Sequence, residues 1–173
     1  MSKNQEWAKE IILALAKLGV ANDTQIVKEI AARGTFNPYS VKNPEARVRA
    51  TIQTFGKDYA NYKSTNMSIF KKCEGGYSLN LEDCLHIPKD SWAYAIYMAL
   101  IELGTANDQQ IVDKIYARGY RNPYEIQHPE ATVRSTIQDY SKDFSQYKPN
   151  HPSLFCQTDR GTYHIDLFQT LLH

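Results

Sequence analysis

The amino-acid sequence predicts a mainly α-helical, α+β protein made of two similar domains, each with three helices followed by a β-hairpin. The chain repeats itself at an offset of 85 residues. In each copy, apolar residues recur at helical spacing between residues that suit helix ends. A turn containing glycine then separates two short strand-like runs. Hydrophobic residues make up 42% and charged residues 23% of the chain, which is typical of a folded globular protein.

The internal repeat defines the predicted domains. Tripeptides recur 85 positions apart, with Ala-Asn-Asp at 21 and 106, Asn-Pro-Tyr at 37 and 122, and Pro-Glu-Ala at 44 and 129. Roughly half of the positions between Trp7 and Gly76 are identical at this offset. Two copies at so long a period indicate two small domains and not the units of a solenoid. We therefore predict domains at 1–85 and 86–173, joined near 82–90 by a segment short enough to restrict their orientation.

The first two helices of each domain are predicted from their ends as well as from their apolar faces. The inward face of the first helix consists of Trp7, Ile11, Ala14, Leu15 and Leu18. Gly19 is placed to end it, and Trp92 opens the matching helix, so we expect both tryptophans in a core. The second helix is predicted to begin with a capping box formed by Asn22 and Gln25 and to end at Gly34. Its predicted buried stripe consists of Ile26, Val27 and Ile30. The same signals recur at Asn107, Gln110 and Gly119.

The third helix begins at Pro44, where a missing N–H has no cost, and Glu45 suits the positive end of the helix dipole. Its predicted inward face is Val48, Ile52, Phe55 and Tyr59, and in the second copy Val133, Ile137, Tyr140 and Phe144. A hairpin is expected at 69–73 and 77–81, turning at Gly75-Gly76, with the second copy turning near 159–161. Three helices and a hairpin in this order predict a winged helix-turn-helix domain.

These residues resemble the HARE-type helix-turn-helix family, which is a winged-helix family found in restriction-system proteins, chromatin regulators and the delta subunit of bacterial RNA polymerase. The resemblance lies in the Trp-Ala opening, the second helix from Gln25 to Ile30, the Pro-Glu-Ala-x-Val-Arg start of the third helix, and the Ser-x-Phe strands at 68–70 and 153–155. It covers nearly the whole chain twice. It implies a DNA contact, while the long Asn-Pro-Tyr loop and the weakly charged second copy depart from the pattern.

Composition and motifs disfavour other classes of protein. No apolar run approaches the roughly 20 residues of a membrane span. Three cysteines without a CxxC pair indicate a reduced, intracellular and hence cytoplasmic protein. The five histidines show no metal-ligand spacing, and no phosphate loop, nucleophile elbow or nuclease-type carboxylate cluster is present. We therefore expect no enzyme activity, no metal and no cofactor. His128 stands where Asn43 caps the third helix, and we expect it to have a local hydrogen-bonding role.

The outward face of the third helix is the predicted DNA-reading surface, because such a helix can enter the major groove. A helical projection places Arg47, Ala50, Gln53, Thr54 and Lys57 on it. Gln suits adenine, Arg suits guanine, and a small Ala allows close approach. From Arg33 to Lys72, eight basic residues stand against two acidic ones, while from 118 to 157 there are five against four. The predicted contacts in copy one also include Arg49, Lys63, Lys71 and Lys72. A solvated helix face is the alternative interpretation.

The second copy carries a weaker version of this surface, with Asp139 where copy one has Thr54. Its candidate contacts are Thr132, Arg134, Ser135, Gln138 and Lys142. Either it reads bases with few phosphate contacts, which we favour, or it is a structural or partner-binding module. Arg49 and Arg134 suit a phosphate or an acidic side chain within each domain equally. For Tyr39 and Tyr124 we favour packing of the loop over stacking on a base.

The function that the sequence favours is binding of double-stranded DNA, sensitive to sequence or base modification, by a regulator or by the targeting part of a restriction system, in the cytoplasm or on the nucleoid. The competing function is a protein-interaction scaffold, which a net charge of +1 allows. A protein partner or a fused effector is compatible with both functions, and the oligomeric state is left open.

Overall fold

A computed structural model describes residues 1–172 of the chain. It is an α+β structure in which helices predominate and the strands form two small antiparallel sheets. Contacts divide the chain into two compact units between Cys84 and Leu85, and residues 167–172 cluster with the first unit. None of the described helices combines the length and the apolar character needed to cross a membrane.

The first unit contains three helices, a hairpin and three short helical segments. The elements are α1 (Lys3–Leu18), α2 (Asp23–Arg33), a 3-10 turn (Pro38–Ser40), α3 (Pro44–Thr54), β1 (Phe70–Cys73), β2 (Gly76–Leu79), α4 (Leu81–Leu85, whose last residue falls in the second unit) and α8 (Leu167–Thr170). The carbonyl of Leu172 accepts a hydrogen bond from Nε2 of Gln5 at 2.6 Å. The sequence placed these last residues with the second domain, but their contacts are with the start of α1.

The second unit repeats the order of the main elements. They are α5 (Trp92–Leu103), β3 (Ala106–Asn107), α6 (Asp108–Arg118), a 3-10 turn (Pro123–Glu125), α7 (Pro129–Asp139), β4 (Cys156–Asp159) and β5 (Thr162–His164). β5 lies between β3 and β4 in an antiparallel sheet. In the first unit a single bridge between Ala21 and Tyr77 occupies the place of the β3–β5 pairing.

The predicted ends of the second helix are confirmed in both units. Asn22 accepts from the backbone N–H of Gln25 at 2.9 Å, and the Gln25 side chain accepts from the backbone N–H of Asn22 at 2.9 Å. Asn107 and Gln110 form the same capping box. Gly34 and Gly119 adopt the left-handed conformation that ends a helix without strain.

The first helix buries a wider face than the sequence predicted. Trp7 is 4% exposed and meets Phe36 edge to face, with ring centroids 5.0 Å apart. Leu18, which was expected in the core, is 38% exposed because α1 ends there. Trp92 is only half-buried, and the Arg121 guanidinium lies 5.1 Å from its ring centroid. Since Phe36 and Arg121 are matched positions of the repeat, an aromatic contact in one unit is replaced by a cation–π contact in the other.

The third helix is shorter than predicted. It ends at Thr54 in the first unit and at Asp139 in the second. The Phe55 carbonyl accepts from the N–H groups of Ile69 and Phe70 at 2.7 and 3.2 Å, which ties the helix end to the hairpin. Tyr59 and Phe144, expected on the helical face, therefore lie in the turns that follow. Tyr140 holds Leu154 and Phe155 in the same way as Phe55 holds its partners.

Candidate nucleic-acid interface

The N-terminal cap of α3 and its buried side chains determine which residues of the helix are exposed. The Asn43 side chain caps the helix by accepting from the Ala46 N–H at 3.1 Å, and Pro44 occupies the first turn. Val48 and Ile52 are fully buried and fix the rotation of the helix about its axis. In the second unit His128 makes no capping hydrogen bond with its side chain, so the local role expected for it is absent.

Three predicted contact residues share the outward face of α3. Arg49 and Ala50 are exposed, and Gln53 is half-buried one turn further along. The Gln53 Oε1 accepts a hydrogen bond from the Asn61 side chain at 3.1 Å, which leaves the amide nitrogen of Gln53 available as a donor. This face combines a cation, a small residue and an amide, and a base edge can be contacted by such a set.

Arg49 and its counterpart are paired with a carboxylate inside their own units. The Arg49 guanidinium contacts the Asp23 carboxylate at the start of α2, and Arg134 contacts Asp108 at 2.8 Å. From the sequence, these arginines were expected to contact either a phosphate or an acidic side chain of their own unit. In the structure each one pairs with an aspartate of its own unit. Both pairs are partly exposed, so solvent screens the attraction between their charges. Replacing the aspartate with a phosphate as the partner of the arginine therefore costs little free energy.

Arg47 and Thr54 do not lie on the outward face, which corrects the helical projection. Arg47 is half-buried and donates from Nη2 to the Asn4 side chain on α1 at 2.7 Å. Its Nε is buried without a hydrogen-bond partner. The Thr54 hydroxyl donates back to the Thr51 carbonyl at 2.9 Å. Arg47 therefore contacts the first turn of α1, and Thr54 lines a cleft together with residues of that turn.

The four lysines of the first unit's predicted surface lie outside α3. Lys57 follows the helix end and lies 3.9 Å from the Asp83 carboxylate. Lys71, on strand β1, lies 4.0 Å from Glu82. Lys72 on β1 and Lys63 in the preceding loop are exposed, and neither has a carboxylate within salt-bridge distance in the described chain.

The second unit presents a more neutral surface. The hydroxyls of Thr132 and Ser135 donate to backbone carbonyls of their own helix, at 3.5 and 3.2 Å. Gln138 is half-buried, and Lys142 lies beyond the end of α7. Asp139, the residue expected to repel phosphate, is paired with Lys148 at 3.3 Å. The carboxylate is therefore largely compensated inside the unit.

The charges of the two units have opposite sign. The first unit holds twelve Lys and Arg against nine Asp and Glu, for a balance of +3. The second holds eight against ten, for a balance of −2. Residues 33–72 carry eight basic side chains, but four of these lie beside acidic residues from outside the segment, namely Glu10, Asp23, Glu82 and Asp83. The local excess of positive charge is therefore smaller than the sequence of the segment suggests.

The loop tyrosines are exposed, contrary to the packing role favoured from sequence. Tyr39 is 61% and Tyr124 56% exposed, while the prolines before them, Pro38 and Pro123, are buried. The asparagine of each motif accepts from the tyrosine N–H, at 3.0 and 3.2 Å, and so fixes the turn. In the second unit Tyr124 meets Tyr116, which is 58% exposed, edge to face at 5.2 Å.

Two features of this surface were missed from sequence. The aspartates that hold Arg49 and Arg134 stand 26 positions before them in both copies, and this repeated spacing was a usable signal. The partner of Tyr124 had no such signal, because the position of Tyr116 is alanine in the first copy.

Within residues 1–172, no group of three or more His, Cys, Asp or Glu side chains is placed to hold a metal ion. Cys84 is buried and donates from Sγ to the Ser68 carbonyl at 2.8 Å, and burial raises the pKa of its thiol to about 12. Burial likewise raises the pKa of Tyr59 to about 12. Both groups stay protonated at neutral pH and act as packing groups.

Comparisons of the chain with protein-family models, with curated proteins and with solved structures found no match.

Proposed function

We propose that this protein binds duplex DNA through two tandem winged-helix domains of the HARE type, and that the first unit makes most of the contacts. The order of elements supports this proposal, since in each unit three helices precede a hairpin and a residue between the first two helices pairs with it. In such a domain the third helix approaches the major groove and the hairpin lies beside it.

The observation that carries the proposal is the outward face of α3 together with the lysines around it. Arg49, Ala50 and Gln53 offer contacts to base edges or to phosphate. Lys42 and Lys72 are exposed and have no carboxylate partner among the described residues, so they are available to phosphates. Lysines of this kind supply affinity that depends on salt and is independent of sequence.

The difference between the units supports the leading role of the first. At the positions of Lys42 and Lys72, the second unit carries Gln127 and Gln157. With its net negative charge, the second unit offers fewer phosphate contacts and a weaker attraction to the duplex. We infer that it contributes orientation or a limited reading of bases.

The testing experiment is a salt titration of duplex binding with the full chain, using random, methylated and unmethylated duplexes. We expect affinity to fall linearly with salt on a log–log scale. Lys42→Gln and Lys72→Gln place in the first unit the residues that the second unit carries, and each is expected to reduce the slope by about 1. Replacing Gln127 or Gln157 with alanine is the matched control and is expected to leave the slope unchanged. Wild-type protein without salt-dependent affinity for any duplex at low ionic strength would refute the proposal.

A protein-interaction scaffold is the second candidate, and one observation favours it. Tyr116 and Tyr124 form an exposed aromatic pair in the acidic unit, close in sequence to the exposed Ile126. Exposed aromatic residues are enriched at protein interfaces. If no duplex binds, this surface is the one to mutate in a search for a protein partner.

A further inference from the structure

A polar cleft of about 250 Å³ lies in the first unit, away from the outward face of α3. Its walls are the first turn of α1, the end of α3 and the loop that follows, and its lining residues are Ser2, Asn4, Gln5, Thr54, Phe55, Lys63, Thr65 and Asn66. A water molecule occupies roughly 30 Å³ in the liquid, so the cleft has room for a polyatomic ion with part of its hydration shell. Lys63 is the only charged residue in this lining.

The second unit shows which kind of group belongs next to this lysine. Lys148, the counterpart of Lys63, is paired at 3.3 Å with Asp139, the counterpart of Thr54. The backbones of both pairs are held alike, since Lys63 N donates to Thr54 O at 3.4 Å and Lys148 N to Asp139 O at 3.1 Å. The first unit therefore keeps the lysine and its backbone position but has a neutral hydroxyl in place of the carboxylate.

The surroundings of Lys63 favour an anion from outside the chain. α1 has 16 residues where α5 has 12, and the additional turn at its start forms one wall of the cleft. On the adjoining side of α3, Arg47 holds the Asn4 side chain and has a buried Nε without a partner. The Thr65 hydroxyl adds a possible donor to the lining. The lining of the cleft therefore contains one cation and several hydrogen-bond donors, and it contains no carboxylate.

We propose that this cleft binds a phosphate group, which takes the position that the Asp139 carboxylate has beside Lys148. The phosphate belongs either to the backbone of a bound duplex or to a small phosphate compound. The first source rests on the proposed DNA-binding function, whereas the second does not. Lys63 pairs with the anion, and Asn4 and Thr65 position it.

The test exchanges the residue that distinguishes the two units. Thr54→Asp supplies the first unit with its own carboxylate, which the second unit tolerates at the matched helix end. Thr54→Asn has a similar size without the charge and is the comparison variant, and Lys63→Gln removes the cation. Thermal melting of each variant checks that it is folded. The probe is inorganic phosphate, titrated against chloride at constant ionic strength while amide NMR signals of Asn4, Lys63 and Thr65 are followed.

We expect saturable shifts of these three signals in the wild type and in Thr54→Asn, and affinity for phosphate at least tenfold weaker in Thr54→Asp and Lys63→Gln. In a parallel salt titration with a duplex, a slope lower by about 1 in Thr54→Asp than in Thr54→Asn identifies the DNA backbone as the source. Equal duplex slopes together with saturable phosphate binding identify a small phosphate compound. The proposal is overturned if phosphate gives no saturable shifts in the wild type, or if Thr54→Asp binds it as well as Thr54→Asn. Because the phosphate titration contains no DNA, its outcome is independent of whether any duplex binds.

Discussion

The ion pair between Arg49 and Asp23 yields the sharpest prediction about the proposed interface. Asp23→Asn removes the carboxylate that holds the Arg49 guanidinium and leaves the arginine free to contact a phosphate. One added phosphate contact raises the log–log salt slope by about 0.9, which corresponds to roughly eightfold tighter duplex binding at 0.1 M salt and little change at 1 M. The pair is partly exposed, with 45% and 21% of the two side chains accessible, so its loss costs at most about 1 kcal/mol of folding stability.

The assay is fluorescence anisotropy of a labelled duplex with the full chain at several salt concentrations. Asp108→Asn is the matched control, because it frees Arg134 in the same way but in the unit with a net charge of −2. We expect it to change affinity less than twofold. If Asp23→Asn binds no tighter than the wild type, or if both variants gain equally, then Arg49 is not a phosphate contact or the first unit does not dominate binding.

Three further predictions test base reading, the core and the buried thiol. Gln53→Ala is expected to narrow the affinity gap between preferred and random duplexes by about 1–3 kcal/mol, and Gln138→Ala by less, as measured by competition binding. Trp7→Ala is expected to lower the stability of the first unit by roughly 3–5 kcal/mol, and half-buried Trp92→Ala to lower that of the second by less, as measured by amide hydrogen exchange. Since the pKa of Cys84 rises from 9.0 to about 12 on folding, the stability it contributes is complete below pH 9 and declines as the pH approaches 12. Chemical denaturation between pH 8 and 11 measures this decline, and Cys84→Ala is expected to reduce it.

Short-range signals in the sequence predicted the ends of the second helix well. Asn22 and Gln25 are three residues apart, so the capping box between them depends on local conformation and is legible from the chain itself. The end of α3 was mispredicted because its apolar spacing continues to Tyr59, while the actual end is set by a hairpin about fifteen residues further along. The spacing of apolar residues does not reveal that the Phe55 carbonyl accepts from the N–H groups of Ile69 and Phe70 instead of from a further helical turn.

Side-chain partners across the fold were beyond the reach of a helical projection. Arg47 projects outward on an isolated helix, but Asn4, 43 residues earlier in the chain, draws it toward α1. Tyr39 follows Pro38 in the sequence, and the sequence alone did not decide whether the proline ring or the tyrosine ring would be buried inside the loop. The proline is buried and the tyrosine exposed, because the Asn37 side chain holds the Tyr39 N–H and sets the turn.

The repeat allows each unit to serve as a reference for the other, and some of the positions at which they differ change the charge of the surface. The capping boxes and the Arg–Asp pairs are kept in both copies, which indicates that the shared structure depends on them. The substitutions at the positions of Thr54, Lys42 and Lys72 leave these contacts intact and shift the first unit toward positive charge. None of the three changes is needed to form the fold. Each makes the first unit more positive than the second, as the proposed binding of a polyanion requires.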